Sequence, residues 1–249
     1  MLNLHVGTIG WSYNFWKGNF YPNKTASKEF LAYYATQFNT DEVDSTFYRI
    51  PNKQTVTNWK EQTPEDFLFS LKFPRVITHV KMLKDCQQET STFLDRVVLL
   101  KEKLGCLLLQ FPSAFGTQHL SLLKSFLKNL PKGYRYVVEV RNKKLLNSDL
   151  YSILKDYNIV LAWADSPIMP QTNEVTSDFI YIRWEGDRKK VKGTLGKIEA
   201  DRREDLKLWA EKIKPFLERK ITVFGYFGKY YSGYPPSDIA LLQSLLNSN

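Results

Sequence analysis

Eight short apolar stretches recur along the whole chain, and their recurrence limits the fold more than any other feature. They are LHVGTIG (4–10), DEVDSTF (41–47), FLFSLK (67–72), CLLLQF (106–111), RYVVEV (135–140), IVLAWA (159–164), DFIYIRW (178–184) and TVFGYF (222–227). Most are rich in β-branched or aromatic residues and are bounded by Gly, Pro or charge, as strands are. Helix-like segments lie between most of them: 27–38, with Ser27 as a candidate N-cap, then 55–62, 79–103, 117–130, 146–157, 199–217 and 236–246. The link after the sixth stretch, SPIMPQTNEVTS, reads as a loop. Strand followed by helix, repeated about eight times, is the α/β pattern of a single (β/α)8 TIM-barrel-like domain with parallel strands, spanning 1–249. A doubly wound open sheet is the competing arrangement. Against it, no GxGxxG or P-loop follows the first stretch; the glycines of GTIGWSYNFWKGNF are spaced differently.

Composition narrows the classes further. With 43% hydrophobic and 14% aromatic residues the chain can bury a large core. The formal charge of +9 favours acidic partners such as nucleic acid, phosphorylated metabolites or anionic lipid surfaces. It is equally met by a solvated Lys-rich exterior, since Lys101, Lys103, Lys124, Lys128, Lys207 and Lys212 sit in helix-like segments. Cys86 and Cys106 form no CxxC or metal spacing, which fits a reducing, cytoplasmic setting. The start, MLNLHVGTIGWSY, has no basic-then-apolar signal pattern. No apolar run approaches the roughly 18 residues that a spanning helix needs, so no membrane partner is expected.

In a barrel, side chains alternate between the interior and the helix layer, and functional groups gather at the carboxyl ends of the strands. Val43 suits the helix layer, which turns Glu42 and Asp44 inward. The same bookkeeping offers Lys72, Gln110, Glu139, Arg141, Trp163, Arg183, Glu185 and Tyr226 from the later strands, and Tyr13 from the end of the first. Carboxylates thus face cations inside one ring, and isolated buried charges are costly enough that these should pair. One reading is a salt-bridge lattice closing the barrel. The other is a mouth for a polar, ring-bearing ligand. Tyr48 and Arg49 would lie on its rim.

The remaining signals are weaker. His79 is a candidate ligand or base, His5 falls out of step with the mouth, and His119 sits in a solvated helix. Three dispersed histidines argue against a multinuclear metal site; no metal ligand and no cofactor are assigned, with a carboxylate-bound Mg²⁺ left open. No GxSxG nucleophile elbow is present. EGDRKKVKG (185–193) is a basic loop after the seventh stretch, where barrels often hold phosphate. SGYPPSDIALL (232–242) opens a helix whose first amides offer an anion site.

Six segments in order carry a resemblance: GTIGWSYNFWKGNFYP, EVDSTFYRIPNKQTVTNWKEQTPEDFLFSLKFPRVITH, LGCLLLQFP, VVEVR, YIRWEGD and YFGKYYSGYPPSDIALLQSLL. Together they resemble the YecE-like family, known as domain of unknown function 72, over nearly the entire chain. The resemblance implies a TIM-barrel-like fold and no settled activity. By analogy of fold with endonuclease-IV-like barrels it also implies DNA binding, although fold is a poor guide to function. Asp44 stands where the family typically has Asn, and Asn142 where a His commonly follows Glu-x-Arg. Trp184 and Glu185 replace a sequence leading to His-Gly, and Gly228 and Lys229 replace an Asn pair. No metal-dependent chemistry is therefore carried over. Tyr13, Glu42, Lys72, Gln110, Glu139, Arg141 and Arg183 are the matching polar set.

The expected function is a hydrolase acting on a phosphate- or sugar-containing substrate. Glu139 would be general acid or base, with Asp44 or Glu42 as second carboxylate. Arg183, Arg141 and Lys72 would hold an anionic group, Gln110 would line the site, and Tyr13, Trp163 and Tyr226 would stack on a ring. The alternatives are a nucleic-acid-binding protein and a small-molecule sensor without catalysis. The sequence leaves the oligomeric state open.

Overall fold

The computed structural model describes residues 3–247; the first two and last two residues of the expected 1–249 domain lie outside them. Nine strands form one all-parallel sheet in the order β6-β5-β4-β3-β2-β1-β9-β8-β7. They are β1 (Leu4–Ile9), β2 (Thr40–Val43), β3 (Leu68–Lys72), β4 (Leu104–Gln110), β5 (Arg135–Glu139), β6 (Val160–Leu161), β7 (Trp163–Asp165), β8 (Phe179–Gly186) and β9 (Thr222–Tyr230). The two ends of this sheet, β6 and β7, are consecutive halves of the sixth apolar stretch, separated by Ala162. One half pairs with β5 and the other with β8, so the chain itself joins the ring into a barrel. Around it lie α1 (Phe30–Gln37), α2 (Ser45–Tyr48), α3 (Lys53–Glu61), α4 (Gln87–Val97), α5 (Leu120–Lys128), α6 (Ser148–Asp156), α7 (Arg203–Glu218) and α8 (Pro235–Asn247). Among the described residues no helix is long and apolar enough to cross a membrane.

Local chemistry sets these boundaries. The Asn52 side chain accepts from the Thr55 amide at the start of α3, and Asn147 does the same for Leu150 at the start of α6. Two expected elements differ. The stretch 41–47 is strand only to Val43; Asp44 turns into the helical region, and Thr46 Oγ1 donates to the Val43 and Lys72 carbonyls to hold the single turn of α2. The segment 79–103 is not one helix. Met82, Leu83 and Asp85 have positive φ, which no helix admits, and α4 begins only after them.

The core has an inner and an outer part. Interior positions follow the strand period of two. Cys106 and Leu108 on β4, Val137 on β5, Phe179 and Tyr181 on β8, and Phe224 and Tyr226 on β9 pack together inside the barrel. The alternate residues, such as Val43, Leu107, Leu109 and Val138, pack against the helices. Between β1 and β2 the Tyr34 hydroxyl of α1 is spliced into the ladder, accepting from the Thr8 amide at 2.8 Å and donating to the Thr40 carbonyl at 3.0 Å.

Lys103 is buried without a carboxylate. Its ammonium donates to the carbonyls of Lys60 and Thr63 at 2.6 and 2.7 Å, closing the C-terminal end of α3 where carbonyls lack helical partners. Lys103→Met is expected to lower the unfolding free energy by about 1–3 kcal/mol, because two carbonyls lose their donor. Urea unfolding measures this; a change below about 0.5 kcal/mol would mean that solvent serves those carbonyls equally well.

Candidate functional site

The carboxyl ends of the strands carry a buried charge lattice centred on Arg183 of β8. Its Nε donates to Glu42 Oε2 and its Nη2 to Glu42 Oε1, both at 2.9 Å. Its Nη1 bonds Glu139 and Glu185. Arg141 joins Glu139 at 3.2 Å and grips both oxygens of Glu185 at 2.6 and 2.8 Å. Gln110 Nε2 donates to Glu139 Oε1 at 2.8 Å, and the Tyr181 hydroxyl donates to Glu42 Oε2 at 2.7 Å. Alternation produces this arrangement: Glu42, Lys72, Gln110 and Glu139 are the last interior positions of four strands, and Arg183 follows Phe179 and Tyr181 along the interior row of β8.

Electrostatics then assign charge states. Burial opposes ionisation of Glu139, but Arg183 and Arg141 outweigh it and hold its pKa at about 2. Glu139 therefore stays an anion and is a poor proton donor. Burial raises the pKa of Glu42, with Arg183 and Tyr181 pulling against it. Burial likewise works against the charge on Arg183, yet Glu139, Glu42 and Glu185 keep it protonated well beyond its ordinary range.

Above the lattice opens a cavity of about 350 Å³. Arg183, Arg141, Glu185, Gln110 and Lys72 form its floor, and Asp44 pairs with Lys72 at 3.0 Å. Its walls carry Arg75, Arg188, Lys229 and His79, together with Tyr13, Phe47, Tyr48 and Tyr230. Arg75, Arg188 and Lys229 have no carboxylate within ion-pair distance among the described residues. Arg188 lies over the Tyr230 ring at 4.9 Å, and Lys229 lies 5.5 Å from the Tyr13 ring. Gly186 makes this wall possible: its φ is +70°, and a Cβ there would stand 2.0 Å from the Tyr230 carbonyl oxygen.

Burial comes first among the causes that lower the pKa of His79 to about 4, followed by Lys72, Arg141 and Arg75. The imidazole is therefore neutral at physiological pH.

The structure brings together Tyr13, Glu42, Asp44, Lys72, Gln110, Glu139, Arg141 and Arg183 at the mouth, and separates two expected residues from it. Trp163, 1% exposed, faces the helix layer: alternation turns Ala162 inward, and the indole donates to the Glu174 carbonyl while packing edge-on against Phe216. Tyr226 faces the interior one layer below, where its hydroxyl is shared by Thr40 and Ser70 at 2.8 Å each. Neither can stack on a ligand. Asp44 does not share the strand's inward row with Glu42, because β2 has already ended. His5 faces the interior after all, but away from the mouth, stacked on Phe224. The start of α8 is not part of the cavity; Ser232 and Asp238 close on each other there at 2.6 Å.

Arg75, Arg188 and Lys229 are the residues that sequence reasoning passed over. Arg188 was signalled by the basic loop EGDRKKVKG, and Lys229 by its place just after the last apolar stretch, TVFGYF; Arg75 had no signal beyond following β3. Among the described residues no three His, Cys, Asp or Glu side chains are placed to hold a metal ion together.

The chain matches a family described as a protein of unknown function, DUF72, over residues 5–249. Two curated relatives are similar to parts of it. UPF0759 protein YecE of Escherichia coli K12 is 40% identical over 112 residues, which is 45% of this chain and 41% of that protein. UPF0759 protein YunF of Bacillus subtilis 168 is 26% identical over 174 residues, 66% of this chain and 59% of that protein. The chain thus spans about half the length of the curated relatives it matches. Among solved structures, a DUF72 family protein from Thermotoga maritima superposes with a TM-score of 0.79 at 27% identity, covering 96% of each chain. Another from Enterococcus faecalis, at 20% identity, shares the fold with a TM-score of 0.77, covering 99% of this chain and 98% of that one. The barrel, its strand order and the family match agree, and the chain belongs to the DUF72 family.

Proposed function

We propose that the barrel mouth binds a small molecule carrying a phosphate and an aromatic ring, and that the protein is a hydrolase of such a compound. One observation carries this reading: Arg75, Arg188 and Lys229 share a cavity of about 350 Å³ without a carboxylate partner among the described residues. Like charges held together repel, and an entering anion relieves that repulsion while gaining charge-assisted hydrogen bonds. Tyr48, 76% exposed, and Tyr230 give a ring something to lie against.

A sugar hydrolase fits less well. It needs two free carboxyl groups, one of them protonated. Glu42 and Glu139 are instead both bound by Arg183, and Glu139 is held ionised. Nucleic acid remains a second reading, supported by the exposed Tyr48 ring beside unpaired cations on a chain of formal charge +9.

Isothermal titration with a nucleoside monophosphate, its nucleoside, a sugar phosphate and short single-stranded DNA tests the proposal, alongside an assay for released inorganic phosphate. The monophosphate is expected to bind and be hydrolysed, the nucleoside to fail, and Arg188→Ala to weaken binding about tenfold or more. Equal binding of nucleoside and monophosphate, or indifference to Arg188→Ala, would sink the phosphate site. Binding without phosphate release would leave a binding protein. Affinity that rises with DNA length and falls steeply with salt would favour the second reading.

A further inference from the structure

We propose that His79 is the proton acceptor of this site, taking up a proton at Nε2 when an anion fills the cavity; this rests on the phosphate reading above. His79 lies on the short π-helical turn Val76–Val80 that follows β3, and its ring lines the cavity. Turns of this kind occur often at functional sites. Phe47 meets the ring edge-on, with centroids 4.8 Å apart.

The hydrogen bonds engage one ring nitrogen and leave the other for the cavity. His79 Nδ1 lies 2.9 Å from Thr78 Oγ1, and Thr78 Oγ1 donates to the Pro74 carbonyl at 3.5 Å. In the tautomer proposed, Nδ1 carries the proton and the Thr78 oxygen accepts it. Nε2 then keeps a lone pair, while Nδ1 is the ring nitrogen that the threonine engages.

Charge explains why the ring waits unprotonated. Lys72 at the end of β3, Arg75 on the preceding turn and Arg141 beyond β5 all oppose a positive imidazole, and Glu139 favours it only weakly. Asp44 is engaged by Lys72, and Glu185 by Arg141 and Arg183; Arg188 and Lys229 add positive charge to the same cavity. An anion placed among these cations reverses the balance. It offsets the repulsion and adds a negative charge near the ring, which typically raises a pKa by about 1–3 units. The proton comes from solvent and stays on Nε2 while the anion is bound.

Sulfate is a suitable probe, because it remains a dianion and takes no proton itself. Titration of the whole protein with sulfate at pH 6, in two buffers of different ionisation enthalpy, is expected to show roughly half a proton taken up per sulfate. Affinity is expected to be about tenfold higher at pH 5 than at pH 8. His79→Gln should bind sulfate with no uptake and a flat pH response. Nitrogen-15 spectra of the free protein should show the His79 proton on Nδ1 and no titration near the ordinary histidine value. Sulfate binding without uptake, or with the same uptake in His79→Gln, overturns the proposal and leaves the phosphate reading standing. No sulfate binding between pH 5 and pH 8 removes both. A free-protein spectrum with the proton on Nε2 overturns it whatever the titrations give.

Discussion

Arg183→Ala is expected to lower the unfolding free energy by about 3–5 kcal/mol, the usual cost of removing one partner from a buried ion network. For a chain of this length that is a fall of roughly 6–20 °C in melting temperature. The guanidinium, 3% exposed, bonds three carboxylates at once, so its loss leaves Glu42 and Glu139 buried without their main counter-charge. The loss also depends on pH, and its sign follows from Glu139. In the wild type Glu139 is held at about 2, so its contribution is full above the ordinary carboxylate value and fades only as pH falls toward about 2. In Arg183→Ala the same carboxylate is raised by burial, and acid relieves it. The stability gap between the two proteins should therefore be widest near neutral pH and shrink toward pH 4. A gap below about 1 kcal/mol at pH 7, or one that does not shrink in acid, would mean that water reaches the lattice and screens it.

The barrel was legible because strand and helix alternate in the sequence with little to obscure them. Parallel strands buried on both faces read as short apolar runs, and CLLLQF or TVFGYF admits little else. Where the reading slipped, local backbone chemistry had overruled the pattern. DEVDSTF looks like one strand, yet a single residue, Asp44, turns into the helical region and ends it. The run 79–103 has helical composition throughout, but positive φ at Met82, Leu83 and Asp85 keeps its first part irregular, and no residue type there announces this.

At the site, alternation found the buried lattice and missed the wall of the cavity. Glu42, Glu139 and Arg183 were predictable from period two alone. Once placed, they turn out to bond one another, so the residues easiest to find are the ones most occupied with each other. Arg75 and Arg188 come from a turn and a loop, where no period says which way a side chain points, and Lys229 sits at the end of β9, beyond the apolar stretch that marks that strand in the sequence. Trp163 failed for a related reason: a one-residue difference in phase moves a side chain from the mouth to the helix layer, and the two-part sixth stretch gave no internal check on phase.

Asp41→Asn is expected to stabilise the protein, and more so as pH rises. Asp41 is fully buried on the helix side of β2. Its Oδ1 has no hydrogen-bond partner, and its Oδ2 lies 3.3 Å from Thr8 Oγ1. Thr8 Oγ1 lies closer to the Gly10 carbonyl, 2.7 Å away, so the threonine hydrogen goes there and its oxygen can accept from a protonated Asp41. Burial above all, and then the neighbouring Glu42, push the Asp41 pKa well above its ordinary value. A raised carboxyl pKa means that the folded state holds a proton the unfolded chain releases. Asp41 thus costs nothing below the unfolded value and destabilises progressively as pH climbs through the window above it. Asn keeps the shape and a donor toward Thr8 while removing the ionisable group. The two proteins should melt together near pH 4 and separate by several degrees by pH 8, since each kcal/mol is worth about 2–4 °C at this size. Thermal melts across that range decide the matter. If the separation is constant or reversed, Asp41 is ionised in the folded protein, and the contact with Thr8 is then an acceptor's, with the threonine hydrogen turned away from Gly10.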